Sequence, residues 1–576
     1  MNKIYIMIIF ALGISACDAF LEKPLGSDQD KADIFSTEQK AMEAVSQAYA
    51  WSLASGIALG RDDWDTGLIW GSVSHISGEV NPVKFNWEDA WIISRSGMTA
   101  DNGSGKVRSE DGFNFNYKAI RQCLLVYDNI DLVPDMSQQG KDKVKAEMLV
   151  LCAYRYAQMF KRYGGVPIVD KVLSLQDDLK IGRSSLQNTL DHIVSLCDRA
   201  ISLGLPDSWP SNYKGRVTIG VSLAIKAEAL LFAARPLFNS EQPYMDYESD
   251  NELVCFGNAD SERWKKAAEA SEAVLDWAAR NGYALIDTGN PFEDYGTAVA
   301  VPGNKEIILA YKDQRIGPQY DPHTQSGGAN SMSWYMLSRY RKANGLDQNW
   351  PKLGEEKPYS DFAMRIEEME PRYKVSAMAA GIDAWNNPGS FYWSCRTVAD
   401  GSTWEGRTNN EGCGRRVKFW YMAGQRNWFE YPIYRLAEFH LNLAEAYNEL
   451  GKTDSALFHL NKTIVRAGLP KFEDEDYDDI KNAIRRERAV ELYEEGHLLY
   501  DLKHWKHEGI ADGIIGGSRR SFVYTYKSGR YGYTSEDYIS YSLKERFKGY
   551  WAPSQYLDPI PNSEVNKGYI VQNPGY

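Results

Sequence analysis

Tryptophan is concentrated in two stretches of this chain. Five of the 17 tryptophans lie between Trp51 and Trp91, and seven lie between Trp334 and Trp428. Both stretches are rich in Gly, Ser and Asn and show little helical periodicity, so they read as loops. A flat indole can stack on the apolar face of a sugar ring while neighbouring polar side chains bond its hydroxyl groups. Because binding residues collect on loops held by a rigid scaffold, this distribution favours a carbohydrate-binding surface.

Eight residues of these stretches are our candidate ligand contacts, chosen by segment. The aromatic platforms are Trp87, Trp91, Trp334, Trp385 and Trp393, and the polar partners are Arg61, Asp62 and Asp63. The alternative is that these tryptophans fill gaps beneath long loops and so hold the loops in place. For a single tryptophan the packing role is the commoner one, but it accounts poorly for all twelve together.

Motifs for catalysis are incomplete. Glu494 to His497 lacks the first His of H-E-x-x-H, Gly103 to Lys106 lacks parts of a phosphate-binding loop, and no G-x-S-x-G occurs. His504 and His507 are spaced closely enough to share a metal ion, but polar residues at a helix end more often partner the helix itself. A glycosidase with a pair of catalytic carboxylates remains an alternative, because the distance between two carboxylates cannot be read from a sequence. We predict a protein that is not an enzyme and has no catalytic residue, cofactor or metal.

Charge and length limit the class of protein further. The 65 Lys and Arg and 78 Asp and Glu give a net charge of -13, which argues against nucleic acid as the ligand. The chain is 576 residues long, and no Pro- or Ser-rich linker divides it. We therefore expect one large domain of interleaved parts rather than detachable units.

The beginning of the chain predicts export and a lipid anchor. Lys3 precedes an apolar run from Ile4 to Ile14, which is too short to span a bilayer and is typical of a signal peptide. The run ends in Ile14-Ser15-Ala16-Cys17, which resembles a bacterial lipobox in which Ile replaces the usual Leu. We predict that residues 1–16 are a signal peptide and that Cys17 carries the lipid. The alternative is ordinary signal cleavage beside an incidental Cys17.

Helical periodicity dominates the rest of the chain. Apolar residues recur every three or four positions in the predicted helices, which are 37–52, 113–132, 141–163, 185–203, 217–238, 264–281, 434–447, 453–467 and 479–505. Gly451 would end one helix and Thr453 or Asp454 would cap the next, giving an antiparallel hairpin. We expect helix pairs in about four irregular repeats, and a short strand at 306–311.

Two cysteines share a loop-rich segment. Cys395 and Cys413 leave a disulfide possible, whereas Cys123, Cys152 and Cys197 lie in helical patterns and should be buried thiols.

The segments YRLAEFHLNLAEAYNELG, IRRERAVELYEEGH and DLKHW resemble the C-terminal core of the SusD/RagB family of surface glycan-binding lipoproteins. The order of small residues from Ala446 through Ala456 also resembles half of a tetratricopeptide repeat. Two further matches are the helix that ends in YGGVP and the terminal segments with IP and QNPGY. Near Asn330 the family's usual segment is replaced by NSMSWYMLSRY, so loop ligand residues do not carry over directly.

The resemblance implies a fold, a partner and a location. The fold would be mainly α-helical, with a helical scaffold at about 37–55, 113–281 and 431–505, a loop-rich ligand part at about 56–112 and 282–430, and a C-terminal segment at 506–576. Residues 17–576 would form this single domain. The partner would be a SusC-like TonB-dependent transporter of the outer membrane, at the cell surface, and the role would be the capture and uptake of glycans. One branch of the family handles peptides, and a transporter partner without its own ligand is a further alternative.

Overall fold

The computed structural model describes residues 31–54, 73–81, 89–107, 109–313, 331–382, 412–422, 425–426, 428–527 and 535–576. Its α-helices are α1 (Lys31–Ile34), α2 (Glu38–Ser52), α3 (Val73–Ser77), α4 (Asp89–Ser96), α5 (Ser104–Val107), α6 (Phe113–Asn129), α7 (Gln138–Tyr163), α8 (Leu186–Ser202), α9 (Ile219–Ala234), α10 (Glu262–Arg280), α11 (Pro291–Ala300), α12 (Trp334–Leu337), α13 (Tyr359–Glu367), α14 (Pro371–Ser376), α15 (Leu436–Glu449), α16 (Thr453–Arg466), α17 (Tyr477–Glu491), α18 (Leu498–His504) and α19 (Asn562–Val565). The strands are β1 (Ile307–Asp313), β2 (Glu356–Pro358), β3 (Ala377–Met378), β4 (Arg415–Arg416), β5 (Phe429–Arg435), β6 (Ser518–Tyr526) and β7 (Tyr538–Lys548). The predicted fold class is confirmed, because the described chain is mainly helical with few strands.

The long helices form the scaffold. Neighbours pack in the order α2, α6, α7, α8, α9, α10, α15, α16, with α17 against the last two. Their starts follow from local chemistry, because the side chains of Thr37, Ser137 and Ser185 each accept a hydrogen bond from a backbone amide three residues later. Gly164 ends α7 with a φ of 79°. The scaffold helices lie close to their predicted positions.

Two details of the predicted scaffold are wrong. The single helix predicted from 479 to 505 is two helices, α17 and α18, separated by a turn in which Glu494 has a φ of 58° and Gly496 a φ of 82°. Thr453 is not a cap, because α16 starts at Thr453 itself and Lys452 provides no side-chain cap. Outside the scaffold, the described part of the 282–430 segment contains the short helices α11 to α14.

Three small antiparallel sheets complete the described fold. The first pairs β1 with β5, and its β1 is the predicted short strand. The second has the order β2-β7-β6, and the third pairs β3 with β4. Strands β6 and β7 lie in the C-terminal segment, for which no strands are predicted. One hydrophobic cluster includes Phe35, which follows α1, Phe160 of α7, Phe522 of β6 and Ile570 near the C-terminus.

Buried ion pairs connect the scaffold to the 282–430 segment. Arg435, which is 1% exposed, donates to the carboxylates of Glu306, Glu491 and Glu495 at 2.7 to 2.9 Å. Burial alone would raise the pKa of Glu491, but Arg466, Arg435 and Arg372 hold that pKa well below its usual range. The other members of this network are Glu370, Arg416, Lys418, Glu487 and Glu494.

Within the residues described, no helix combines the length and the apolar character that crossing a bilayer requires.

Candidate functional site

Three distant parts of the chain meet on strand β6. The amide of Asn81 donates to the carbonyl of Ser331 at 2.9 Å, and the amide of Met332 donates to the carbonyl of Gly414 at 2.8 Å. The amide of Gly412 then donates to the carbonyl of Phe522 in β6, also at 2.9 Å. Asn81 belongs to the predicted ligand part at about 56–112, and Ser331, Met332, Gly412 and Gly414 belong to the one at about 282–430. The two predicted ligand parts therefore meet at one backbone junction on β6.

Buried polar side chains fix this junction. The Nδ2 group of Asn81 donates to Ser521 Oγ of β6 at 3.3 Å, and Ser333 Oγ donates to the Gly78 carbonyl at 2.5 Å. Asn81, Ser331, Ser333 and Ser521 are each no more than 3% exposed. Because each buried polar group finds its partner on another segment, the segments stabilise one another. We call these four side chains the junction cluster.

Aromatic rings lie immediately beside the junction cluster. Trp334 contacts Trp350 and Phe522 edge to face, with ring centroids 6.2 and 5.5 Å apart, and Trp350 contacts Phe522 at 5.5 Å. Phe522 is fully buried, whereas both indoles are half-buried. The indole N–H of Trp350 is buried without a hydrogen-bond partner in the described part of the chain. Part of each indole is therefore exposed to solvent beside the junction.

A tyrosine–arginine pair adds polar chemistry to the same edge. The guanidinium of Arg339 lies 3.4 Å from the ring centroid of Tyr335, and its Nη1 donates to the Tyr335 carbonyl at 3.2 Å. Burial lowers the pKa of Arg339, but the group stays cationic near neutral pH. Both residues are half-buried. The guanidinium thus stacks on one face of the Tyr335 ring and supplies cationic N–H donors, which suit the hydroxyl groups of a sugar.

The junction is coupled to the scaffold through Glu79. Its Oε1 accepts the amide of Glu494 at 2.8 Å, in the turn between α17 and α18, and its Oε2 accepts from Ser77 Oγ at 2.8 Å. Burial raises the pKa of Glu79 to about 7, although both hydrogen bonds act in the opposite direction. The position of the turn and the position of the junction are thus fixed together.

Family comparison connects this architecture to known proteins. Residues 293–576 match the model of the SusD family, and residues 70–229 match a model described as "Starch-binding associating with outer membrane". This chain belongs to the SusD family. Among curated proteins, SusD-like protein P25 of Formosa agariphila is 22% identical over 525 residues, which cover 87% of this chain and 89% of the relative.

Solved structures of SusD-like proteins share the fold. A SusD-like protein from Bacteroides fragilis matches with a TM-score of 0.73 and 20% identity, covering 96% of this chain and all of that one. A SusD-like carbohydrate binding protein from the same species matches with a TM-score of 0.65 and 19% identity, over 93% and 99% of the two chains. These likenesses concern the fold, whereas the two family-model matches confirm the predicted family resemblance.

Two of the predicted ligand residues of this SusD family protein lie in the described part. Trp334 belongs to the aromatic group at the junction. Trp91 is 7% exposed and packs edge to face on Phe547 at 4.7 Å, with the Arg95 guanidinium 5.1 Å from its ring centroid. This environment gives Trp91 a packing role, and its stacking on a ligand stays a prediction. Seven predicted residues lie outside the described residues: Cys17, Arg61, Asp62, Asp63, Trp87, Trp385 and Trp393.

Other residues of the site are absent from the sequence prediction. Trp350, Tyr335 and Arg339 were not singled out, although Tyr335 and Arg339 belong to the NSMSWYMLSRY segment that departs from the family pattern. The departure of this segment from the family pattern is the sequence feature that points to Tyr335 and Arg339. Phe522 required knowledge of strand β6.

The structure places several of the residues for which the sequence leaves a metal site or a disulfide open. His504 is buried and its Nε2 lies 2.9 Å from the carbonyl oxygen of Lys161, so the ring serves the scaffold. Among the described residues, no three His, Cys, Asp or Glu side chains are grouped to hold a metal ion. Cys413 is a free, buried thiol within the described ranges; Cys395 lies outside them, so the disulfide between the two stays an untested possibility. Cys123, Cys152 and Cys197 are buried free thiols, as predicted.

Proposed function

We propose that this SusD family protein is a non-catalytic, lipid-anchored surface protein that binds a glycan and delivers it to a SusC-like TonB-dependent transporter. The observation that carries the proposal is the shared junction on β6. Residues of both predicted ligand parts, Asn81 of the first and Ser331 and Gly412 of the second, meet there in one set of hydrogen bonds. A common rigid base lets residues from distant parts of the sequence act on one ligand.

The chemistry beside the junction supports a glycan ligand. Trp334 and Trp350 offer partly exposed indole surface, and Arg339 offers a cationic donor next to Tyr335. In the sequence, Trp87 follows Asn81 by six residues and Trp404 precedes Gly412 by eight. We retain Trp87, Trp91, Trp334, Trp385 and Trp393 as proposed platforms. Arg61, Asp62 and Asp63 remain their proposed polar partners.

The comparisons support the carbohydrate class and the membrane association. One matching model is described as starch-binding and associating with the outer membrane, and one structural neighbour is named a carbohydrate binding protein. The lipid anchor at Cys17 and the transporter partner follow from the lipobox-like sequence and from family membership. A protein held at the outer membrane by a lipid would be positioned to pass a captured glycan to the transporter.

A ligand screen tests the proposal. Protein lacking residues 1–17 would be titrated by calorimetry with plant, host and microbial polysaccharides and with a peptide pool. We expect saturable binding of at least one polysaccharide and no release of reducing ends during prolonged incubation. Binding only to peptides would support a peptide-binding family member instead, and release of reducing ends would identify a hydrolase.

A pull-down from the native outer membrane provides the second test. We expect the full-length protein to retain a TonB-dependent barrel after detergent extraction. Retention of the barrel together with silence in every titration would reject the ligand and identify a structural partner of the transporter.

A further inference from the structure

A second pocket lies away from the junction, beside the sheet of β1 and β5. It has a volume of about 340 Å³ and is bounded by the loop at 208–216, the turns at 281–283 and 303–305, and strand β1. Four cationic side chains line it, which are Lys214, Arg216, Lys305 and Lys312. Glu430 is the sole carboxylate among its lining residues. The pocket is locally positive in a chain whose net charge is -13.

Two lysines converge on the mouth of this pocket from different elements. Lys312 Nζ of β1 lies 3.3 Å from Glu430 Oε1 and donates to the Lys214 carbonyl at 3.3 Å. Lys214 Nζ has neither an ion pair nor a hydrogen bond among the described residues. Glycines make room for both ammonium groups, because a Cβ on Gly303 would lie 2.6 Å from Lys214 Nζ and one on Gly215 would lie 2.8 Å from Lys312 Nζ.

Carboxylates balance two of these four cations, because Lys312 pairs with Glu430 and Arg216 pairs with Glu147. Lys214 and Lys305 have no such partner in the described part of the chain. Glu430 is 5% exposed, and its Oε2 accepts the amide of Gly303 at 2.7 Å while its Oε1 also accepts from the indole of Trp428 at 3.2 Å. Glu430 therefore interacts with several donors, and it forms no ion pair with Lys214. Because an anion near Lys214 and Lys312 would gain charge-assisted hydrogen bonds, the pocket favours an acidic group.

The wall of the pocket is aromatic and rigid. The guanidinium of Arg216 lies 4.3 Å from the ring centroid of Trp209, and its Nε donates to Glu147 Oε2 at 2.6 Å. The Trp209 indole N–H donates to the Val217 carbonyl at 2.8 Å, which fixes the ring. Thr218, which also lines the pocket, is 7% exposed, and its hydroxyl has no hydrogen-bond partner in the described structure. A buried hydroxyl of this kind gains free energy when a ligand supplies a partner.

We propose that this pocket binds the acidic group of a charged glycan, either a uronate carboxylate or a sulfate ester. The inference rests on the proposed glycan-binding function and adds the substrate class and a subsite distinct from the junction. Lys214 and Lys312 pair with the anionic group, and the hydroxyl of Thr218 bonds a ligand oxygen. Trp209 and Tyr213, whose rings meet edge to face at 6.3 Å, form the adjoining aromatic edge.

The test compares three polymers and three proteins. Alginate provides carboxylates, dextran sulfate provides sulfate esters, and dextran is neutral; each is titrated into wild type, into the double variant Lys214→Gln/Lys312→Gln, and into a control. The control, Lys452→Gln/Lys462→Gln, removes the same charge from two exposed lysines of the scaffold. Thermal unfolding of each variant verifies that it is folded.

We expect wild type and control to bind at least one acidic polymer, with an affinity that falls as salt is raised. The double variant should bind the same polymer with an affinity lower by about tenfold or more. The polymer that loses affinity distinguishes carboxylate from sulfate. Equal affinity of wild type and the double variant for both acidic polymers would overturn the inference, as would binding of neutral glycans alone. Neither result touches glycan binding at the junction, which the wider ligand screen tests separately.

Discussion

Replacing Arg435 by Met tests whether the buried ion network holds the ligand part on the scaffold. Arg435 makes five hydrogen bonds, to the carboxylates of Glu306, Glu491 and Glu495 and to the Glu491 carbonyl. Met fills similar space but leaves these buried carboxylates with fewer cations. Breaking a buried pair by removing one partner costs about 3 to 5 kcal/mol.

The expected change in melting temperature follows from chain length. An unfolding entropy of about 2.1 cal/mol/K per residue gives about 1.2 kcal/mol/K for a chain of 576 residues. A loss of about 4 kcal/mol therefore lowers Tm by about 3 °C. The matched control is Lys40→Met, which removes a 2.6 Å ion pair with Asp33 whose side chains are 45% and 50% exposed. This control should change stability by less than about 0.5 kcal/mol.

The same variant has a pH signature. The cations of the network, including Arg435, hold the pKa values of Glu491 and Glu495 below the ordinary range despite burial. Depressed carboxylate pKa values contribute stability that is present above the unfolded value of about 4.3 and is lost as pH falls through the folded value. Arg435→Met raises both pKa values, so acid unfolding should begin at a higher pH. Calorimetry and circular dichroism from pH 7 to pH 3 measure both effects. A Tm loss no larger than that of the control, with an unshifted acid limb, would show that Arg435 does not stabilise the fold through this network.

Three further predictions concern the junction and the anchor. Asn81→Ala removes the bond to Ser521 Oγ inside the junction cluster, so urea unfolding should show a loss of about 1 to 2 kcal/mol; no loss would argue against a fixed junction. Burial raises the pKa of Glu79 to about 7, so the folded state binds more protons than the unfolded state above about pH 4.3, and the unfolding free energy should fall by about 3 kcal/mol as pH rises to 7. Glu79→Gln should flatten that decline in urea titrations at pH 5 and pH 7, and an unchanged slope would contradict the role of Glu79. Cys17→Ala should abolish incorporation of labelled palmitate and release the protein from the membrane fraction, whereas retained label would exclude Cys17 as the anchor.

The scaffold could be predicted because its helices are specified locally. Helix α7 carries its buried stripe, its capping Ser137 and its terminal Gly164 within one continuous stretch. The split between α17 and α18 could not be predicted in this way. Glu494 adopts its left-handed backbone where Glu79, 415 residues away, accepts its amide and Arg416 pairs with its carboxylate at 2.6 Å. Helical periodicity across this turn gives no sign of such a distant partner.

Of the residues that form the candidate site, only Trp334 was predicted from the sequence. The tryptophan distribution marked Trp334, which lies at the junction, whereas Trp91 of the same prediction is packed on Phe547. Both residues are tryptophans in loop-rich stretches, so the sequence cannot tell which one could stack on a ligand. They differ in burial, because Trp91 is buried and Trp334 is half-buried. The junction cluster joins residues 250 and 440 positions apart, so its hydrogen bonds have no local signal.

We propose that a glycan lies across Trp334 and further indoles of the two predicted ligand parts. The decisive experiment is calorimetric titration of the best polysaccharide into wild type, Trp334→Ala and Trp87→Ala, with Trp264→Phe on scaffold helix α10 as control. We expect about a fivefold or greater loss of affinity in both alanine variants and wild-type affinity in the control. Unchanged affinity in both alanine variants, with the proteins folded, would contradict the proposal.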